Sequence, residues 1–182
     1  MSKAVMLSIR PKWCAKIASG EKTIEVRKTR PKLPTPFKCY IYCTSVKSMN
    51  LQDYVDALSS AAAVDDWSGK VIGEFMCYAT IAISVEYSDP SHRMAQRDFP
   101  FTGMTDKQII DYLGNGKMGY GWHISDLKIY DKPKELTEFH TWGKCKSCRK
   151  SGYESTACIY DENCMVPVAI TKAPQSWCYV EV

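Results

Sequence analysis

Leu7-Ser8-Ile9-Arg10-Pro11-Lys12-Trp13, followed by Ile17-Ala18-Ser19-Gly20-Glu21-Lys22-Thr23-Ile24-Glu25-Val26-Arg27, is the stretch from which the rest of the chain is read. Ala4 to Ile9 is an apolar run of strand length. Pro11 then opens a short helix through Ser19, because its missing N–H is one that a helix start leaves unused, and Gly20 can close that helix in the left-handed conformation. Thr23 to Arg27 alternates, with Ile24 and Val26 on one face and Thr23, Glu25 and Arg27 on the other, the pattern of a half-buried strand. The second face predicts a solvated cleft. There Arg27 can grip a phosphate or carboxylate with two donors, Lys22 supplies a point charge and Trp13 a stacking plane for a base. Glu25 can accept from a base amino group or hold Arg27 in place.

Charge around this stretch is segregated. Residues 1–50 carry 11 Lys and Arg against only Glu21 and Glu25, whereas the remaining 132 residues carry 13 against 18 carboxylates. One positive surface points to phosphate-bearing partners, RNA or a modified nucleotide, with single-stranded nucleic acid included. Arg10, Lys12, Trp13, Lys22, Arg27, Lys28, Arg30 and Lys32 are the candidate contacts. The 182 residues suffice for one domain with its own core, and a composition 45% hydrophobic and 24% charged excludes disorder as the main state. No apolar run approaches the roughly 18 residues of a membrane span, and the N-terminus lacks a signal-peptide core, so the expectation is a cytoplasmic protein without a membrane partner. Oligomeric state is not readable.

Downstream, Arg30 to Pro36 must be extended, since Pro31, Pro34 and Pro36 each forbid helix and ladder donation. Phe37 to Thr44 reads as a strand, and Asn50 caps a helix to about Ala63. Lys70 to Tyr87 reads as one long strand bent near Gly73. Thr105-Asp106-Lys107-Gln108 is a capping box that opens a helix to Leu113. Gly114 to Gly119 matches a dinucleotide fingerprint only as text, because a helix precedes it and a strand follows, so it reads as a turn. Tyr120 to Tyr130 and Trp177 to Val182 are further strands. Five or six strands with two or three short helices predict an α+β fold, a small and partly open β-barrel. His92, His123 and His140 are too scattered to form a triad, and Walker, Gly-x-Ser-x-Gly and His-Glu-x-x-His motifs are absent.

Nine cysteines would leave one thiol over in a closed disulfide framework. Cys14, Cys39, Cys43, Cys77 and Cys178 lie in apolar text and read as core filler. Cys145, Cys148, Cys158 and Cys164 instead crowd a polar stretch inside residues 141–173, spaced as C-x2-C-x9-C-x5-C. Four thiolates are the number a tetrahedral structural zinc takes, and zinc binding would offset the ordering entropy of so polar an insertion. His140 or Cys178 could replace one ligand.

On Gly20, Lys22, Glu25 and Arg27 the sequence resembles the ASCH-domain family of the PUA-like superfamily, whose hallmark is Gly-x-Lys-x-x-Glu-x-Arg. The Leu7–Trp13 lead-in, Gly69-Lys70-Val71-Ile72-Gly73-Glu74-Phe75 and the ending Pro174-Gln175-Ser176-Trp177-Cys178-Tyr179-Val180-Glu181 look like its phage and prophage type. The resemblance covers nearly the whole chain apart from the cysteine segment. It implies a PUA-like β-barrel with a cleft lined by the motif, in a superfamily that binds RNA and modified bases; with the cysteine reading, the expectation is a single domain over residues 1–182 that carries a zinc-binding insertion at 141–173. It also implies an alternative, since some relatives hydrolyse N4-acylcytidine as amidohydrolases and others are ribonucleases. Where the amidohydrolase pattern places a Thr nucleophile three positions after the Lys, this chain has Glu25, and Thr23 should point to the opposite side of the strand. Lys22 and Glu25 are therefore the candidate catalytic pair, the lysine with a depressed pKa and the carboxylate as a base toward water. A partner-binding scaffold is the third reading.

Overall fold

The computed structural model describes residues 3–45, 64–84, 101–144 and 165–181. Its strands are β1 (Lys3–Ile9), β2 (Ile24–Arg27), β3 (Phe37–Cys43), β4 (Val71–Cys77), β5 (Thr80–Ser84), β6 (Met118–His123), β7 (Ser125–Lys134), β8 (His140–Lys144), β9 (Met165–Ala169) and β10 (Trp177–Glu181). Helices are α1 (Pro11–Ala18), the single turn α2 (Val64–Trp67) and α3 (Asp106–Leu113). The helix read over residues 50–63 lies outside the described residues, as does the cysteine cluster.

Three sheets result: a five-stranded one in the order β10-β1-β3-β4-β7, a three-stranded one in the order β2-β6-β5, and the β8-β9 pair. β1 and β3 run parallel, the other pairs antiparallel. Parallel neighbours need a crossover, and here α1 and β2 lie within it. α1 starts on Pro11, buries Cys14 and Ile17, and ends at Ser19; Gly20 follows at φ +81°, as the sequence requires.

Two long apolar runs are each divided between sheets. Val71–Cys77 belongs to the five-stranded sheet and Thr80–Ser84 to the three-stranded one, so the run from Lys70 breaks at Tyr78–Ala79. The bend expected near Gly73 takes the form of a register shift between Gly73 and Val71, where β4 packs so closely on β7 that a Cβ at Gly73 would collide with the Lys128 carbonyl oxygen. Met118–His123 and Ser125–Lys134 divide likewise at Ile124, whose N–H donates to the Thr23 carbonyl at 2.9 Å. The strand expected as one piece over 120–130 is thus two. Among the described residues the two larger sheets wrap a shared core without closing into one ring of pairing, which makes the fold mixed α+β and more divided than five or six strands.

That core holds Val5, Leu7, Ile9, Ile41, Phe75 and Trp122, with Trp122 edge-on to Phe37 at 5.6 Å and to Trp177 at 6.1 Å. Cys14, Cys39, Cys43 and Cys77 are buried in it as free thiols, and burial pushes the Cys77 thiol up to about 11. Cys178, half-buried, packs on a second cluster around Met6, Tyr40 and Phe139. These five are the core filler the text around them implied. A third, smaller cluster joins Ile24, Val26 and Ile83 to Ile109 and Leu113 of α3. It fixes α3 across β2 and so builds one wall of a cleft. No helix among the described residues is long and apolar enough to cross a membrane.

Candidate nucleotide-binding cleft

The cleft has a volume of about 780 Å³. Its floor is β2 with the end of β1, from Ser8 to Arg10; Lys12 and Trp13 of α1 stand at one side. Met104, Gln108, Asp111 and Tyr112 form one wall, and Ala173 to Ser176 another. The capping box forms as read: Thr105 Oγ1 accepts from the Gln108 N–H at 3.3 Å, and Gln108 Oε1 accepts from the Thr105 N–H at 3.0 Å.

At the floor, Lys22, Glu25 and Arg27 form one ionic cluster. Glu25 Oε2 lies 3.3 Å from Lys22 Nζ, and Glu25 Oε1 lies 2.9 Å from Arg27 Nη2. Lys22 Nζ also donates to the carbonyls of Ile24 at 2.8 Å and Thr102 at 2.5 Å. All three ammonium protons thereby have acceptors. Arg27 Nη2 donates to the Ser8 carbonyl at 2.8 Å, while Nη1 lies 3.4 Å from both the carbonyl and the hydroxyl of Ser176. Arg27 Nε has no partner among the described residues.

This geometry corrects the sequence reading of a solvated face. Lys22 is 1% exposed, Glu25 6% and Arg27 6%. The reason is mutual neutralisation: two cations share one carboxylate, backbone carbonyls take the remaining protons, and the Phe101–Met104 loop covers the strand edge. Phe101 extends β2 by accepting from the N–H groups of Thr23 and Ile24, at 2.9 and 3.0 Å. Burial draws the Lys22 ammonium below its ordinary value, and the neighbouring Glu25 only partly opposes this. Trp13 sits above the cluster, with the ammonium groups of Lys12, Lys16 and Lys22 at 5.2, 5.9 and 5.3 Å from its ring centre.

Of the candidate contacts, Arg10, Lys12, Trp13, Lys22 and Arg27 line this cleft. Lys28, Arg30 and Lys32 do not; they occupy the exposed loop that follows β2. Cys145, Cys148, Cys158 and Cys164 lie outside the described residues, and among the described ones no group of three or more His, Cys, Asp and Glu could hold a metal. Sequence reasoning missed Gln108, Asp111, Tyr112 and Ser176. The capping box announced α3 but nothing local to it says that α3 borders β2, and Ser176 was read only as part of the terminal motif.

Searches against protein-family models and against curated proteins return no match for this chain. Solved structures do match. The ASCH protein of Zymomonas mobilis aligns with a TM-score of 0.50 at 17% identity, covering 73% of each chain. A tyrosine-to-phenylalanine mutant of that protein aligns with a TM-score of 0.51 at 20% identity, over 74% of this chain and 77% of its own. The fold is thus of the ASCH kind, a mixed α+β domain whose cleft here carries four cations, two carboxylates and an aromatic platform.

Proposed function

We propose that the protein binds RNA or a modified nucleotide in this cleft, with the nucleobase on Trp13 and phosphate toward Arg10 and Lys12, above the Arg27 that lies in the floor. The observation that carries the reading is the composition of the cleft lining: Arg10, Lys12, Lys22 and Arg27 against Glu25 and Asp111, beside Trp13 and within about 780 Å³. That volume suits one nucleotide and part of its neighbour. The ASCH-type fold supports the same class of ligand. Lys22 acts on it through its field, its protons being committed to Ile24, Thr102 and Glu25.

The test is a calorimetric titration of nucleoside monophosphates and short RNAs at 50 mM salt, with Trp13→Ala and Lys12→Glu beside the wild type. Both substitutions should weaken binding, and affinity should fall steeply with added salt. Absence of binding to every member of the panel, or binding indifferent to salt, refutes the reading. A second reading is hydrolysis of an N4-acylated cytidine or of RNA, favoured by a buried lysine with a lowered pKa against a carboxylate at the cleft floor. Turnover of N4-acetylcytidine and of the same short RNAs decides it.

We further propose that Cys145, Cys148, Cys158 and Cys164 hold one structural zinc. Their spacing supports this, as does the β8–β9 pairing, in which Lys144 opposes Met165 and so brings together the two ends of the chain that flank the segment.

A further inference from the structure

The loop that carries Lys28, Arg30 and Lys32 is fastened on aromatic side chains that begin at the cleft wall and continue outside it. Lys28 Nζ lies 5.4 Å from the ring centre of Tyr112, a residue of the cleft wall. The Arg30 guanidinium lies 5.4 Å from the ring centre of Tyr120, and its Nη1 is 3.5 Å from Thr80 Oγ1. Between them Thr29 Oγ1 accepts from Trp177 Nε1 at 3.0 Å, and beyond them the Lys32 N–H donates to the Tyr179 hydroxyl at 2.9 Å. Residues from α3, β5, β6 and β10 thus hold four exposed positions of this segment, Lys28, Thr29, Arg30 and Lys32. Tyr120 is the register partner of Arg27, so the residue beside which Arg30 lies is on the strand paired to the cleft floor.

Fixed cations spaced along half-buried aromatic rings are what a single strand needs. The charges meet successive phosphates, while a guanidinium held near a tyrosine ring offers a planar cation on which an unpaired base can stack. A duplex presents no free base faces, and the carboxylates of an acidic peptide can pair with the guanidinium edge but bring no base to stack on its face. We propose that this loop is a second binding site, continuous with the cleft, that takes the nucleotides flanking the one bound beside Trp13 in single-stranded nucleic acid. The inference rests on the nucleotide reading of the cleft and adds to it a length requirement and a direction of exit.

Fluorescence anisotropy of the full chain with labelled uridine oligonucleotides one, three and six nucleotides long tests it, with Arg30→Glu, Arg30→Lys and Lys28→Ala as variants. Affinity of the wild type should rise with length, by about tenfold or more from one to six nucleotides. Arg30→Glu should abolish most of that gain while leaving mononucleotide affinity within twofold, and Arg30→Lys should keep the salt dependence but lose part of the gain. Equal affinity at all lengths, equal weakening of mononucleotide and hexanucleotide by Arg30→Glu, or equal competition by a six-residue aspartate peptide overturns the second site and leaves the cleft standing. If neither the mononucleotide nor the oligonucleotides bind, the cleft reading falls and this inference falls with it. All three variants lie in the exposed loop, so their melting temperatures should match the wild type.

Discussion

Replacing Lys22 by alanine should destabilise the fold severely, although nothing in the residue type announces a structural role. The side chain is 1% exposed, and its ammonium group serves the carbonyls of Ile24 and Thr102 and the Glu25 carboxylate. Truncation leaves two buried carbonyls short of a donor and removes half of the charge compensation of Glu25, with Arg27 still in place. Breaking a buried ionic contact costs about 3–5 kcal/mol. Each stranded acceptor accounts for roughly 1–3 kcal/mol within that range. For a chain of this size about 1 kcal/mol moves the midpoint by 2–4 °C, so Tm should fall by roughly 6–20 °C. Thermal unfolding followed by circular dichroism reads this directly. Lys28→Ala, on the exposed loop, serves as the reference and should change stability by less than about 1 kcal/mol. The pH dependence gives an independent check. Because burial lowers the Lys22 pKa below its ordinary 10.5, the unfolded chain holds the proton to higher pH than the folded one. Stability attributable to this group therefore rises with pH, from the lowered folded value up to 10.5. Lys22→Met should lose that rising contribution relative to the wild type. A Lys22→Ala protein melting within 2 °C of the wild type would refute the buried cluster.

Gly73→Ala should cost at least about 2 kcal/mol, since the new methyl meets the backbone oxygen of Lys128, which a rotamer change cannot move; urea unfolding measures it, and a neutral result would mean that β4 and β7 are not so closely packed. Glu74 has its carboxyl pKa lowered: burial alone would raise it, but the Tyr130 hydroxyl at 2.7 Å and Lys38 at 3.2 Å prevail. Its contribution is present above the unfolded value near 4.5 and is lost as pH falls through the folded value, so Glu74→Gln should flatten the acid limb of a stability–pH curve. Protein prepared without chelator should contain about one equivalent of zinc by elemental analysis, and Cys148→Ser should abolish it while sparing the melting of the main sheets. Metal-free protein, or two disulfides among Cys145, Cys148, Cys158 and Cys164, would remove the zinc assignment.

Much of the sheet structure was legible in the chain because the signals are local. Pro11 and Gly20 frame α1, the capping box starts α3, and β1, β2, β3 and β10 fall where the apolar runs and alternations put them. The divisions at Tyr78–Ala79 and Ile124 were not legible. Neither carries a glycine or proline, and core-facing residues continue on both sides, Phe75 and Cys77 before the first and Ile83 after it, Trp122 and Leu127 about the second, because each flank meets the interior from a different sheet. A strand that leaves one sheet for another keeps its hydrophobic pattern across the break, so periodicity alone reads one long strand.

The site was legible in its residues but not in its environment. Lys22, Glu25 and Arg27 were found by type and spacing, yet alternation of charged and apolar residues reads as one wet face, and here both faces of β2 are buried. What covers the charged face is the Thr102 carbonyl, 80 positions away in sequence, and Ser176, 149 positions from Arg27. No local rule connects those segments to β2. The consequence reaches the chemistry of the cleft. A cluster of two cations and one carboxylate keeps one unit of positive charge fixed beneath the ligand, where water cannot screen it as it does at the surface. Since these side chains are already held by backbone acceptors, an arriving anion meets an oriented field and little of it must reorganise. On the proposed reading, discrimination among ligands falls to groups nearer the rim: Trp13, Lys12 and the side-chain amide of Gln108. Substitutions at the floor should alter folding and binding together, whereas those at the rim should alter binding alone; the same separation tells whether Lys22 serves the fold, the ligand or both.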